Sequence, residues 1–264
     1  MKHWVATAWI ALLAGLSTAA LADDVDLEAV DGYTSHAIHQ AAADSTKGVV
    51  LVHMEGRSAK DYRFLSERLN RSGFHTLALD LRGHGLNVPE GEAPPSLSEE
   101  DWWAALGEVE AAVAWLREQG VTEVSLLGAS VGANLAAHVA ARDPEVRNLV
   151  LLSPGMKLKG VTVADAVQAY GDRPLLIAVS EEDRYAAKSA LVLDSDAKGA
   201  HHLEVYRSAG HGTVMLNKAP GLEPLVLSWL LGTHGGAKAE RKSVEAGDLT
   251  QKEGATGEYL DAGE

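Results

Sequence analysis

The chain has 264 residues, 46% of them hydrophobic, which is enough apolar material for one α/β domain with a full core. Its formal net charge of −14 repels a polyanion over most approaches and argues against nucleic-acid binding. With no cysteine, disulfide staples, thiolate metal sites and a cysteine nucleophile are all excluded.

Lys2 precedes an apolar stretch over residues 4–22, and Ala20-Leu21-Ala22 before Asp23 has the small-x-small form of a signal-peptidase site. Residues 1–22 are therefore expected to be a signal peptide. The mature chain would start near Asp23, periplasmic or secreted, with no stable membrane insertion after cleavage. The competing reading is an uncleaved N-terminal anchor, since the stretch is nearly long enough to span a bilayer. Residues 23–231 form the expected domain, with its core starting at about Val30 and no internal repeat. Residues 232–264 hold seven glycines, mixed charges and few large apolar groups, and read as a disordered tail.

Inside the domain, short β-rich runs alternate with helical ones. Residues 48–52 form an apolar run of strand length, and residues 61–69 follow with Tyr62, Leu65 and Leu69 at helical spacing. Residues 75–79 read as the next strand. After a Pro/Gly-rich loop, residues 98–119 read as one long helix, opened by Ser98 and Asp101 in capping-box spacing. A strand at 124–127 runs into a helix at 131–142. Strands follow at 148–152, 174–179 and 203–206, and a terminal helix at 222–231. Buried strands alternating with helices predict a mostly parallel central sheet with helices on both faces, the ligand site lying at the strands' carboxyl ends.

Gly128-Ala129-Ser130-Val131-Gly132 stands where the 124–127 strand ends and a helix begins, the context of a G-x-S-x-G nucleophile elbow. By itself the pattern fits equally a small-residue turn needed only for close packing. A serine nucleophile needs a base, and the base needs an acid to hold its tautomer. Each follows a later strand: Glu181-Glu182-Asp183-Arg184 after 174–179, and Ala209-Gly210-His211-Gly212 after 203–206. The order Ser130, Asp183, His211 differs from both common serine-protease orders.

With Asp80-Leu81-Arg82-Gly83-His84-Gly85 after the second core strand, these motifs resemble those of the α/β-hydrolase superfamily across nearly the whole domain. The resemblance implies Ser130 as nucleophile, His211 as general base and Asp183 as the acid, with Glu181 and Glu182 as fallback acids. It also implies an oxyanion hole from the backbone N–H of Val131 and a donor in the loop after the first core strand, where a His-Gly pair is usual. This chain reads His53-Met54-Glu55-Gly56, so the second donor is Glu55 or Met54, with Glu55 preferred. His53 and Met54 can equally pack beneath the loop.

Other histidines, His36, His39, His84, His201 and His202, do not fall into H-E-x-x-H or another ligand spacing, so neither a metal nor any other cofactor is expected. His84 reads as part of a structural turn, and Trp102 and Trp103 as helix-packing residues. Only about twenty residues separate Leu152 from the next strand, which leaves no room for a cap domain and predicts a minimal lid. The resemblance then implies a serine hydrolase, foremost a carboxylesterase acting on small or exposed esters through an acyl-enzyme. Thioesterase, amidase, peptidase or acyltransferase chemistry on the same residues, or a non-catalytic binding protein of this fold, stays open. The expected partner is a small-molecule ester; the oligomeric state is not legible.

Overall fold

A computed structural model describes residues 22–234. The expected signal peptide, apart from Ala22, and the tail from residue 235 lie outside the described residues.

The elements run β1 (Ala22–Glu28), β2 (Thr34–Gln40), β3 (Lys47–Val52), a 3₁₀ turn (Ala59–Tyr62), α1 (Arg63–Arg71), β4 (His75–Leu79), α2 (Glu99–Ala104), α3 (Leu106–Glu118), β5 (Glu123–Ala129), α4 (Val131–Arg142) and β6 (Asn148–Leu152). Then come β7 (Lys157–Leu158), β8 (Val161–Thr162), α5 (Ala164–Tyr170), β9 (Leu175–Ser180), α6 (Arg184–Asp196), β10 (His201–Tyr206), α7 (Val214–Lys218) and α8 (Leu222–Leu230). Eight strands form one sheet in the order β1-β2-β4-β3-β5-β6-β9-β10. From β4 to β10 all pairs are parallel. β1 and β2 add an antiparallel edge.

The sheet explains the apolar strand runs, because both of its faces are covered. Alternate residues serve two separate cores. Val50, Val52 and Leu126 face Trp102, Val113 and Leu116 of the α2–α3 layer. Val49, Leu51 and Leu127 face Tyr62, Leu65 and Leu69 around α1, with Trp229 of α8. Each such side chain contributes roughly 1.5–3 kcal/mol on leaving water.

Several expectations are corrected. β1 and β2 were not anticipated, and the single helix over 98–119 is two, parted at Ala105. That junction keeps helical dihedrals (φ −61°, ψ −12°), and the one glycine beside it, Gly107, lies inside α3. The Ser98–Asp101 capping box is present at the start of α2, with Asp101 N–H donating to Ser98 Oγ at 3.1 Å. Just after α8, Thr233 N–H and His234 N–H donate to Ser228 O at 2.9 and 3.1 Å.

Candidate active site

Because β3, β5, β6, β9 and β10 run parallel, the segments that follow them emerge at one end of the sheet. These segments carry His53-Met54-Glu55, Ser130, Ser153, Asp183 and His211.

Ser130 links β5 to α4 with φ 54° and ψ −123°. A non-glycine residue held there costs on the order of 1–3 kcal/mol, and the surroundings must impose it. They do: Ser130 N–H donates to Leu152 O at 2.8 Å, and Ser130 O accepts from Ala133 and Asn134 N–H at 2.9 and 3.2 Å. The flanking glycines are a matter of space, since a Cβ on Gly128 would stand 2.2 Å from Gly132 O and one on Gly132 2.3 Å from His53 O. Close packing therefore accounts for the glycines. It does not account for a serine between them, where glycine would take the same φ without strain.

Asp183 caps α6, one carboxylate oxygen accepting from Ala186 N–H at 3.2 Å. The other lies 2.5 Å from His211 Nδ1. An ionised carboxylate only accepts, so Nδ1 carries the proton and Nε2 keeps a free lone pair. The side chain of His211 is 40% exposed while that of Asp183 is 16% exposed, so the ring is reachable and its anchor is sheltered. A Cβ on Gly212 would meet Met54 Sδ at 2.4 Å and Ala129 Cβ at 3.6 Å. The residue after His211 is thus packed against both the elbow and the β3 loop.

Three side chains hold the backbone around His211. Ser180 Oγ accepts from Ala209 N–H at 2.9 Å. Glu182 accepts from Gly210 N–H and from the Ser208 hydroxyl, both at 2.6 Å. Ser153, buried at the end of β6 with φ 49°, accepts from Gly212 N–H at 3.0 Å and lies 3.2 Å from Met215 Sδ. The Ser208 hydroxyl and Gly210 N–H keep the Glu182 carboxyl below the usual carboxylate range. Of the three acids considered from sequence, Asp183 meets the histidine ring and Glu182 its loop. Ser153 and Ser180 were not singled out, because their partners lie 59 and 29 residues away in the chain.

In the β3 loop, His53 is fully buried. Its Nε2 accepts from Leu81 N–H at 3.0 Å, so Nδ1 bears the hydrogen and donates to Met54 O at 2.7 Å. Burial pushes its pKa down to about 4, which keeps the ring neutral. His53 thus ties the β3 loop to the β4 loop, and Met54 presents its thioether to Gly212. Met54 O also accepts from Arg57 N–H at 3.2 Å across a turn in which Gly56 has φ 69°. That turn contains both candidate donors, Met54 and Glu55. Val131 opens α4, where backbone N–H groups have no intrahelical acceptor.

The Asp80 to Gly85 stretch is scaffolding. Asp80 accepts from Ala59 and Leu86 N–H at 2.6 and 2.9 Å, and Gly85, at φ 55°, leaves room for that carboxylate. Arg82 pairs with buried Glu108 and reaches Asp31 at 2.7 Å, and His84 Nδ1–H donates to Arg82 O at 2.8 Å.

Between β6 and β9 stands a hairpin, β7–β8, turned by Lys159 (φ 48°) and Gly160 (φ 85°), the double left-handed geometry of a type I′ turn. Asn134 of α4 anchors it, donating to Gly155 O and Val161 O at 2.8 Å. Lys159 pairs with Glu55 at 2.8 Å, and Tyr185 of α6 bonds both backbone groups of Lys157. The hairpin thus reaches the β3 loop, while α5 buries Ala166, Val167 and Tyr170 in the core beside α4 and α6.

His36 sits between Asp24 and Asp80, His39 against His75, and His201 and His202 on edge strand β10. Among the described residues no group of three or more histidine, aspartate or glutamate side chains could hold a metal ion. No described helix is long and apolar enough to cross a membrane.

A family model described as serine aminopeptidase, S33, matches residues 43–171. No curated protein matches the chain by sequence. Among solved structures, a dienelactone hydrolase from Anabaena variabilis superposes with TM-score 0.65 at 18% identity, covering 81% of this chain and 99% of that one. An esterase from Pyrococcus furiosus gives 0.67 at 17%, covering 81% and 90%. An esterase from Exiguobacterium antarcticum gives 0.64 at 15%, covering 78% and 98%. The sheet order, the strained Ser130 turn, the family model over residues 43–171 and these similar structures agree, and the chain has the α/β-hydrolase fold.

Proposed function

We propose that the chain is a serine ester hydrolase, periplasmic or secreted, acting on small or exposed carboxylic esters. The observation that carries this reading is the His211 imidazole, its Nδ1 held by Asp183 at 2.5 Å, at the same end of the sheet as the strained, elbow-borne Ser130. Ser130 Oγ attacks the ester carbonyl while His211 Nε2 takes its proton. The N–H groups of Val131 and of Glu55 or Met54 receive the oxyanion. The imidazolium then returns the proton to the leaving alcohol as the C–O bond breaks, leaving an acyl-Ser130. Water, deprotonated by the same Nε2, releases the acid. Asp183 fixes the ring and balances its charge. The short β7–β8 hairpin supports small or exposed substrates, and the esterases among the similar folds support ester chemistry.

The family model's description favours a second reading on the same residues, release of an N-terminal amino acid from a peptide. Fluorophosphonate labelling with mapping of the modified residue tests the nucleophile, and p-nitrophenyl acetate against aminoacyl p-nitroanilides separates the two substrates. Ser130→Ala is expected to abolish labelling and to lower ester turnover on the order of a millionfold with the fold intact. Retention of most turnover would sink the assignment.

A further inference from the structure

His211 lies between two glycines with left-handed dihedrals, Gly210 at φ 79° and Gly212 at φ 57°. Glycine takes either hand at little cost, so nothing in the loop's own sequence fixes where the ring stands. The first turn of α7 holds His211 O and Gly212 O through Val214 and Met215 N–H, both at 3.2 Å, and groups outside the loop hold its own N–H donors. Gly212 N–H is held by Ser153 from the end of β6, and Gly210 N–H by Glu182 from the turn after β9, the neighbouring strand. Ser153 is buried and itself left-handed, with its hydroxyl spanning Gly212 and Met215. Glu182 takes two donors of the loop, on Gly210 and Ser208. It is also next in the chain to Asp183, so one short turn grips both the imidazole and the backbone that bears it.

We propose that Glu182 and Ser153 are positioning residues for His211, holding Gly210 and Gly212 so that the ring stands at once on Asp183 and toward Ser130. The proposal rests on the hydrolase reading above. A loop released on one side lets the ring drift, and a misplacement of about 1 Å at a reacting centre costs on the order of a hundredfold. The loss falls on kcat, because neither side chain is asked to touch substrate.

The test uses the full chain with p-nitrophenyl acetate kinetics, fluorophosphonate labelling rates and the low-field proton resonance of the His211 Nδ1–H. Glu182→Ala and Ser153→Gly, the latter keeping the left-handed φ, should each lower kcat by about ten- to a hundredfold with KM within about twofold. Both should shift or broaden the resonance. Glu182→Gln should recover to within about threefold, since an amide oxygen still accepts from Gly210 N–H and its NH₂ can donate to Ser208. Parent kcat and an unmoved resonance in both variants, with only melting lowered, would overturn the proposal. Should Glu182→Ala fail to fold, Ser208→Ala removes one of the two bonds at an exposed position. A smaller loss in the same direction supports the proposal, and an unchanged kcat and resonance refutes it. Should the parent neither turn over ester nor label at Ser130, the hydrolase reading fails, and the resonance alone still decides whether the clamp sets the ring.

Discussion

Asp183 answers two donors with two oxygens, Ala186 N–H at the start of α6 and His211 Nδ1–H. Asp183→Asn leaves one oxygen for both. If that oxygen stays on Ala186, the amide NH₂ faces Nδ1 and the imidazole must carry its proton on Nε2, the atom that has to accept from Ser130. If the amide turns over, the right tautomer survives but Ala186 N–H faces a donor, and a cap worth about 1 kcal/mol is lost. Tautomer choice therefore accounts for about 1 kcal/mol, roughly five- to tenfold. An imidazolium with no anion beside it supplies about 4 kcal/mol more, for a total loss on the order of ten-thousandfold in kcat. The assay is p-nitrophenyl acetate turnover at neutral pH beside urea unfolding, where stability should change by no more than about 1 kcal/mol. A kcat loss below about tenfold would refute the assignment of the acid.

His53 makes the fold sensitive to acid. Its pKa falls from 6.5 to about 4 on folding, so between those values the unfolded chain binds the extra proton. The stabilisation is complete above the unfolded pKa and is lost as pH falls to the folded one, amounting to about 3 kcal/mol. Urea unfolding across that range should show the parent's pH slope exceeding that of His53→Gln by about one proton, and a His53 resonance titrating at its ordinary value would contradict this. In the β3 loop, Glu55→Gln should stay within about tenfold of the parent, while Glu55→Pro, which deletes the N–H, should cost on the order of a hundredfold. If Met54→Pro is damaging and Glu55→Pro is tolerated, the second oxyanion donor is Met54.

The parallel part of the sheet was readable from sequence because strands buried on both faces must be apolar throughout, as in Val49 to Val52. β1 escaped for the opposite reason, since at the edge of the sheet ADDVDLE is mostly exposed and acidic; β2, TSHAIHQ, is mostly buried but polar and carries no run of apolar residues. Ser130, Asp183 and His211 could be singled out as candidates because each stands in a short local motif after a strand. What holds them was not. The contacts of Ser153 with Gly212 and of His53 with Leu81 join segments 59 and 28 residues apart, and a lone serine or histidine announces no partner. The β7–β8 hairpin was missed because its strands are two residues each, too short for any alternation to show.

The Glu55–Lys159 ion pair joins the loop after β3 to the hairpin after β6, and in the sheet β5, with Ser130 at its end, lies between those two strands. On the proposed hydrolase reading, a substrate approaching Ser130 across the end of β5 parts it. Both side chains are more than one-third exposed, so the pair is worth no more than about 1 kcal/mol and is weakened further by salt. Parting it then reduces the open population by at most about fivefold. Access to Ser130 is consequently a matter of thermal breathing rather than of an activation event: turnover should start without a lag, rise smoothly with dissolved ester, and show no jump when the substrate forms a separate phase.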